Sequence, residues 1–181
     1  MYTVWRSAAR MEIPMVLTKE ELIASLQNEV RILLHLAGKI DRTHLDYRPT
    51  AKQRSTIEML QYLSVMGPTL IPFIKTGVFD GTAWQAAQSA ASGANFDQVL
   101  SAIEKQRGGY AELLHGWSED EFRSEIEMLN RKASRGSFIV NLVLCAHAAY
   151  RTQLFLYLKA CGRDELNTMN LWAGVDAPKP G

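Results

Sequence analysis

Histidine and cysteine, the imidazole and thiol groups most used for metal binding and nucleophilic chemistry, are sparse in this sequence, and their spacing narrows their chemistry. The histidines are His35, His44, His115 and His147. None stands three or four residues from another, and HExxH is absent, so no helix carries a two-imidazole zinc face. Cys145 and Cys161 are the only cysteines. On one helix they lie roughly 24 Å apart, at about 1.5 Å per residue, and cannot bridge. Only Lys159 sits within a turn of either, so both read as structural thiols of a reducing, cytoplasmic protein. Nucleophile-elbow, P-loop and dinucleotide fingerprints are missing, and Gly108-Gly109 has neither the strand nor the spacing for one. His35 shares a helix face with Ala24, Asn28 and Arg31 and should be exposed. His115 should cap carbonyls at a helix end. His147 stands among apolar residues, where an imidazole either hydrogen-bonds quietly or serves a ligand. Arg107 falls within an apolar stripe, as a snorkelling side chain or an anion-binding group.

Twenty Lys and Arg balance 19 Asp and Glu, a net charge of +1, which argues against a nucleic-acid partner. The composition, 47% apolar and 22% charged, is that of one globular domain. The apolar uncharged run Met59 to Ile74, which no uncharged run exceeds in length, is shorter than the ~20 residues of a membrane span and holds Pro68 and Pro72. Arg6 and Arg10 precede no apolar stretch of signal-peptide length. No membrane partner is expected.

Three capping boxes open helices: Thr18-Lys-Glu-Glu21, Ser55-Thr-Ile-Glu58 and Ser118-Glu-Asp-Glu121. Behind the first, Leu22, Leu26, Val30, Leu33 and Ala37 recur at helical spacing. In the second helix Pro68 and Pro72 should force a kink or an interruption. Residues 76–95 read as a loop with at most a short helix near 83–92. A third long helix covers Phe96–Trp117, and its two glycines cost roughly 2 kcal/mol relative to alanines. The last long helix runs from about Ser137 to Gly162. No strand pattern holds for long. The expected architecture is all-α, a four-helix bundle with one long crossover and short extra helices. An irregular lead-in covers 1–17, the helical domain 18–176 and a disordered tail 177–181.

On a helical wheel the last helix places Ile139, Leu142, Val143, Ala146, Ala149, Tyr150, Gln153 and Tyr157 on one face. A second strip, Val140, Leu144, Leu154 and Leu158 with His147, lies roughly 120° round. This helix is therefore either central in the bundle or shared with another subunit, and the sequence predicts a homodimer in which it takes part, alone or with another long helix, with the second strip at the interface.

The run His147-Ala-Ala-Tyr150-Arg151-Thr-Gln153-Leu, with Leu158-Lys-Ala-Cys-Gly162-Arg-Asp-Glu-Leu after it, resembles the last helix and tail of the DinB/YfiT-like superfamily. Leu45-Asp-Tyr47-Arg48-Pro49 before Ser55-Thr-Ile-Glu58 resembles the approach to that family's second helix. The resemblance spans about residues 18–176. It implies a four-helix bundle, commonly dimeric, often with a divalent metal on three histidines; members include metal-dependent thiol transferases and hydrolase-like enzymes. Here the three ligand positions hold Tyr62, Ala146 and Tyr150, ahead of Arg151 and Gln153. Phenols with a pKa of about 10 are poor ligands at neutral pH and alanine offers none. No cofactor is expected at that site.

The first expectation is therefore a metal-free small-molecule or stress-linked binding module, its pocket lined by Tyr62, Ala146, Tyr150 and Gln153. A second is a thiol-dependent transferase or hydrolase-like enzyme with machinery relocated to His44, Asp46, His147 or Arg151. A third is a non-catalytic structural dimer.

Overall fold

The computed structural model describes residues 17–178. The expected lead-in and most of the expected tail lie outside the described residues. In chain order the elements are α1 (Lys19–Ala37), a 3₁₀ turn (Arg42–His44), α2 (Thr56–Thr76), α3 (Gly81–Ser92), α4 (Phe96–His115) and α5 (Glu119–Arg123). A hairpin of β1 (Glu125–Met128) and β2 (Arg131–Ser134) follows, then α6 (Arg135–Ile139), a π-helical turn (Val140–Leu144), α7 (Cys145–Ala160) and a second π-helical turn (Met169–Ala173). All three capping boxes form, with a fourth at Asn95 and Gln98. The two glycines of α4 leave it unbroken.

α1 and α2 each pack against α4 and against α7. These two consecutive helices therefore sit diagonally, and the chain over 38–55 is the long crossover between them. Their shared core holds Leu22, Leu26, Leu33, Leu63, Met66 and Ile103, each at most 0% exposed, with Leu154 equally buried. The expected four-helix bundle is what forms.

Four expectations are corrected. The first concerns α2, which runs continuously through Pro68 and Pro72. Pro68 has no N–H for the Ser64 carbonyl one turn back. Gln106 of α4 supplies that donor: its Nε2 reaches the carbonyls of both Leu63 and Ser64 at 2.9 Å. The side chain mends the ladder where the proline cuts it.

The second concerns strands. Leu129 and Asn130, with φ of 55° and 57°, form a two-residue turn of the type that matches strand twist. Glu125 pairs with Ser134 and Met128 with Arg131 across it.

The third concerns His35, over which the chain after α7 folds back as a strap. Arg31 of α1 donates to the carbonyls of Ala173 (2.8 Å) and Gly174 (3.2 Å). The buried Asn170 amide bridges His35 Nε2 (3.1 Å) and Asp176 (2.9 Å), and Lys39 reaches Asp176 at 2.7 Å. His35 is thus half-buried rather than exposed. Its pKa is lowered, chiefly by burial, with Lys39 and Arg31 adding to the effect and Asp176 opposing it.

The fourth concerns the helical wheel. Most of the buried positions on the last helix, Ile139, Val143, His147, Arg151, Leu154 and Leu158, form one line, with Phe138 and Tyr157 buried beside it. An uninterrupted α-helix carries that face from 143 to 146, 150, 153 and 157. The π-helical turn inserts one residue, and everything beyond it moves on by one. Of the expected interface strip, His147, Leu154 and Leu158 therefore lie inside the monomer, and Val140 and Leu144 are half-buried. What faces outward is Asn141, Cys145, Ala149, Thr152 and Leu156.

By length and composition two helical stretches could cross a membrane, 56–76 and 135–160; half of the first is buried but only 28% of the second.

Candidate functional site

Two clusters of polar and aromatic side chains flank α7, and the one-residue insertion decides which residue joins which. On one flank Tyr150 meets Tyr62 of α2 with ring centroids 5.1 Å apart. Trp84 of α3 stands edge-on to Tyr62 at 5.9 Å. The guanidinium of Arg54 lies 4.4 Å over the Tyr62 ring and donates to Tyr150 Oη at 3.3 Å. Gln153 Nε2 donates to Tyr157 Oη (2.5 Å), which donates to the Arg54 carbonyl (3.0 Å). Ala146 is half-buried on the same helix. The structure thus brings Tyr62 and Tyr150 into contact and ties Gln153 to them through Tyr157 and Arg54. A groove of about 320 Å³ opens beside Tyr62, lined by Arg54, Glu58, Gln88, Ser89 and Ser92.

Burial raises the Tyr62 pKa; Tyr150 adds to the rise and Arg54 opposes it. Glu58 is held below the usual carboxylate range, first by the Ser55 backbone N–H of the capping box and also by Arg48. Tyr62, Ala146 and Tyr150 do not fit a transition metal, because one phenol is pushed toward its protonated form and alanine has no donor. Among the described residues no three His, Cys, Asp or Glu side chains converge.

On the other flank the polar groups themselves are buried, beside a surface groove of about 430 Å³ that Gln106 and Tyr110 help to line. Tyr110 of α4 donates to Gln106 Oε1 at 2.8 Å and contacts His147 Nε2 at 2.6 Å. Both amide protons of Gln106 are already committed to α2 carbonyls, so its Oε1 needs the single Tyr110 proton. The remaining contact then requires Nε2–H of His147 to donate to Tyr110 Oη. This fixes a neutral Nε2–H tautomer and leaves Nδ1, which has no hydrogen-bond partner, as a bare acceptor. Burial lowers the His147 pKa to about 4 and pushes the Tyr110 phenol up. Gly67 makes the arrangement possible: a Cβ there would lie 2.0 Å from Tyr110 Oη. His147 is completely buried and acts as a core histidine.

The other candidates are scattered. His44 and Asp46 are exposed around the 3₁₀ turn. Arg107 is also exposed, paired with Glu104 at 3.0 Å; the inward position in that stripe belongs to Gln106. Arg151 is buried, 2.9 Å from Glu29 of α1. It also donates to the Leu171 carbonyl and lies under Trp172 at 5.2 Å. It therefore pins α7 to α1 and to the strap. Burial raises the Glu29 pKa, with Arg151 opposing. Among the described residues no contact joins His44, Asp46, His147 and Arg151. Arg54 and Gln106, which organise the two clusters, escaped sequence reasoning. A signal existed only for Gln106, a lone amide in line with Ile103 and Tyr110.

No protein-family model matches the chain, and no curated protein matches it. Among solved structures it is similar to a DinB-like protein from Bacillus subtilis, 17% identical with a TM-score of 0.60, over 81% of this chain and 95% of that one. At that identity the likeness shows the fold, a DinB-like four-helix bundle with short additional elements.

Proposed function

We propose that this DinB-like bundle is a metal-free small-molecule binding module whose ligand sits in the groove beside Tyr62. The observation that carries this is the meeting of Arg54, Tyr62 and Tyr150, from three parts of the chain, at one partly open spot. An aromatic wall with few oriented polar groups is the usual make-up of a ligand site. A thermal-shift panel of metabolite classes tests the reading. A binder at 100 times its dissociation constant adds about 2.7 kcal/mol. Ser89→Trp, which fills the groove, should abolish that gain and leave the unliganded protein stable. A panel without a single hit that Ser89→Trp removes would favour a purely structural role.

We also propose that the chain forms a homodimer through the outward face of the last helix, Asn141, Cys145, Ala149, Thr152 and Leu156. From Gly136 to Leu158 the only Lys, Arg, Asp or Glu is Arg151, and it turns inward to Glu29. The exposed face is thus uncharged for about 33 Å at 1.5 Å per residue. A second copy suits it, because a two-fold axis lays that face on its own image without like-charge repulsion. Sedimentation at micromolar concentration should show a dimer that Leu156→Asp dissociates. A monomer that adsorbs to lipid vesicles would instead assign the face to a membrane surface.

A further inference from the structure

We propose that the groove beside Tyr62 selects small monocarboxylates with an apolar body, and that Arg54 supplies the edge that holds the carboxylate. This rests on the reading of the groove as a ligand site and names what enters it.

The state of Arg54 carries the inference. Stacking over the Tyr62 ring at 4.4 Å occupies the face of the guanidinium and leaves its N–H edges in plane, where carboxylates bind bidentately. One of the five N–H groups goes to Tyr150 Oη. Among the described residues no carboxylate pairs with Arg54. Its backbone is fixed by the bond from Tyr157 Oη to its carbonyl, so a ligand meets a cation already held in place. By contrast Arg42 is paired with Asp97 and Arg48 with Glu58.

The charge and the walls narrow the class. Glu58 lines the same groove, but its carboxylate is engaged by the Ser55 N–H at 2.8 Å and by Arg48 at 3.3 Å. Arg48, Glu58 and Arg54 together leave one net positive charge, enough for a monoanion. The carboxylate of Glu58 repels a dianion such as a phosphate monoester. Beyond the charged edge the groove offers the Tyr62 ring and the methylenes of Gln88 and Ser89. A volume of about 320 Å³ stands at the small end of ligand sites, which suits a one-ring or short-chain acid.

Benzoate, benzamide and phenyl phosphate form a matched set for titration of the full chain by calorimetry at pH 8. Benzoate should bind at least tenfold more tightly than benzamide and more tightly than phenyl phosphate. Arg54→Gln should weaken benzoate tenfold or more with little change in melting temperature. Arg54→Lys, which keeps the charge but loses the planar fork, should fall between. Equal affinity for benzoate and benzamide, indifference to Arg54→Gln, or a preference for phenyl phosphate would each overturn the assignment. If neutral compounds occupy the groove in a manner that Ser89→Trp abolishes, the ligand class fails and the binding site stands. If nothing, benzoate included, binds there, both fail.

Discussion

Tyr110 and Tyr150 are both phenols that touch the last helix, yet they live in opposite conditions. Tyr110 is wholly buried, and its hydroxyl sits between Gln106 and His147 with every available proton assigned. Tyr150 is half-buried, its hydroxyl approached at 3.3 Å by an arginine that is itself exposed. Similar groups therefore do different work. A buried polar chain whose protons are all committed stabilises the core only while complete. An open one with an uncommitted cation can exchange water for a partner. The histidine that looks chemically interesting belongs to the buried side, and the residues we propose as the ligand site belong to the open one.

The largest effect that could break this contrast lies along the last helix. Leu158→Asp buries an unpaired charge in the core and should cost on the order of 4 kcal/mol or more, enough to unfold much of the population. Leu156→Asp, two positions away but 59% exposed, should change unfolding of the separated chain by no more than about 0.5 kcal/mol. Chemical denaturation of the two variants at low protein concentration checks the difference, and equal losses would put the inserted turn in the wrong place.

Acid comes next. The His147 pKa lies near 4 in the folded protein against about 6.5 when unfolded, so between these values the unfolded chain binds more protons. Stability should be complete above about pH 6.5 and fall as pH drops toward 4, by about 3 kcal/mol from this residue. Denaturant midpoints across that range should slope in the wild type and flatten in His147→Gln. Parallel slopes would mean that the imidazole is already charged, or wet, at neutral pH.

Tyr110→Phe should cost about 2–3 kcal/mol, because Gln106 Oε1 and His147 Nε2–H both lose a buried partner. The same change at Tyr150 should cost about 0.5 kcal/mol, since water can replace its hydroxyl. Thermal unfolding of the pair measures the contrast directly, and similar losses would erase it.

Much of the scaffold was legible because its signals are local. Thr18, Ser55 and Ser118 with their partner glutamates announce helix starts that form where expected. The family resemblance matched Tyr62 and Tyr150 to two positions of one site, and their rings meet at 5.1 Å. The departures come from contacts distant in sequence. Continuity of α2 past Pro68 depends on an amide 38 positions later. The π-helical turn carries no propensity signature, and without it the wheel sends Leu154 and Leu158 to the wrong side. The hairpin turn uses Leu129-Asn130 in place of the glycine pairs that mark such turns. Arg151 reads as free machinery until Glu29, on another helix, is beside it. Arg54 precedes a capping box in an ordinary polar stretch, and only the fold sets it over an aromatic ring.

The division of α7 into a buried flank and an open flank rests on the state of one imidazole, which nitrogen-15 spectra of the histidine rings report directly. At pH 7 His147 should be neutral with its proton on Nε2, and no protonation midpoint should appear above about pH 5. A proton on Nδ1, or titration near 6.5 like an exposed histidine, would contradict this and place His147 among the residues that solvent and ligands can reach.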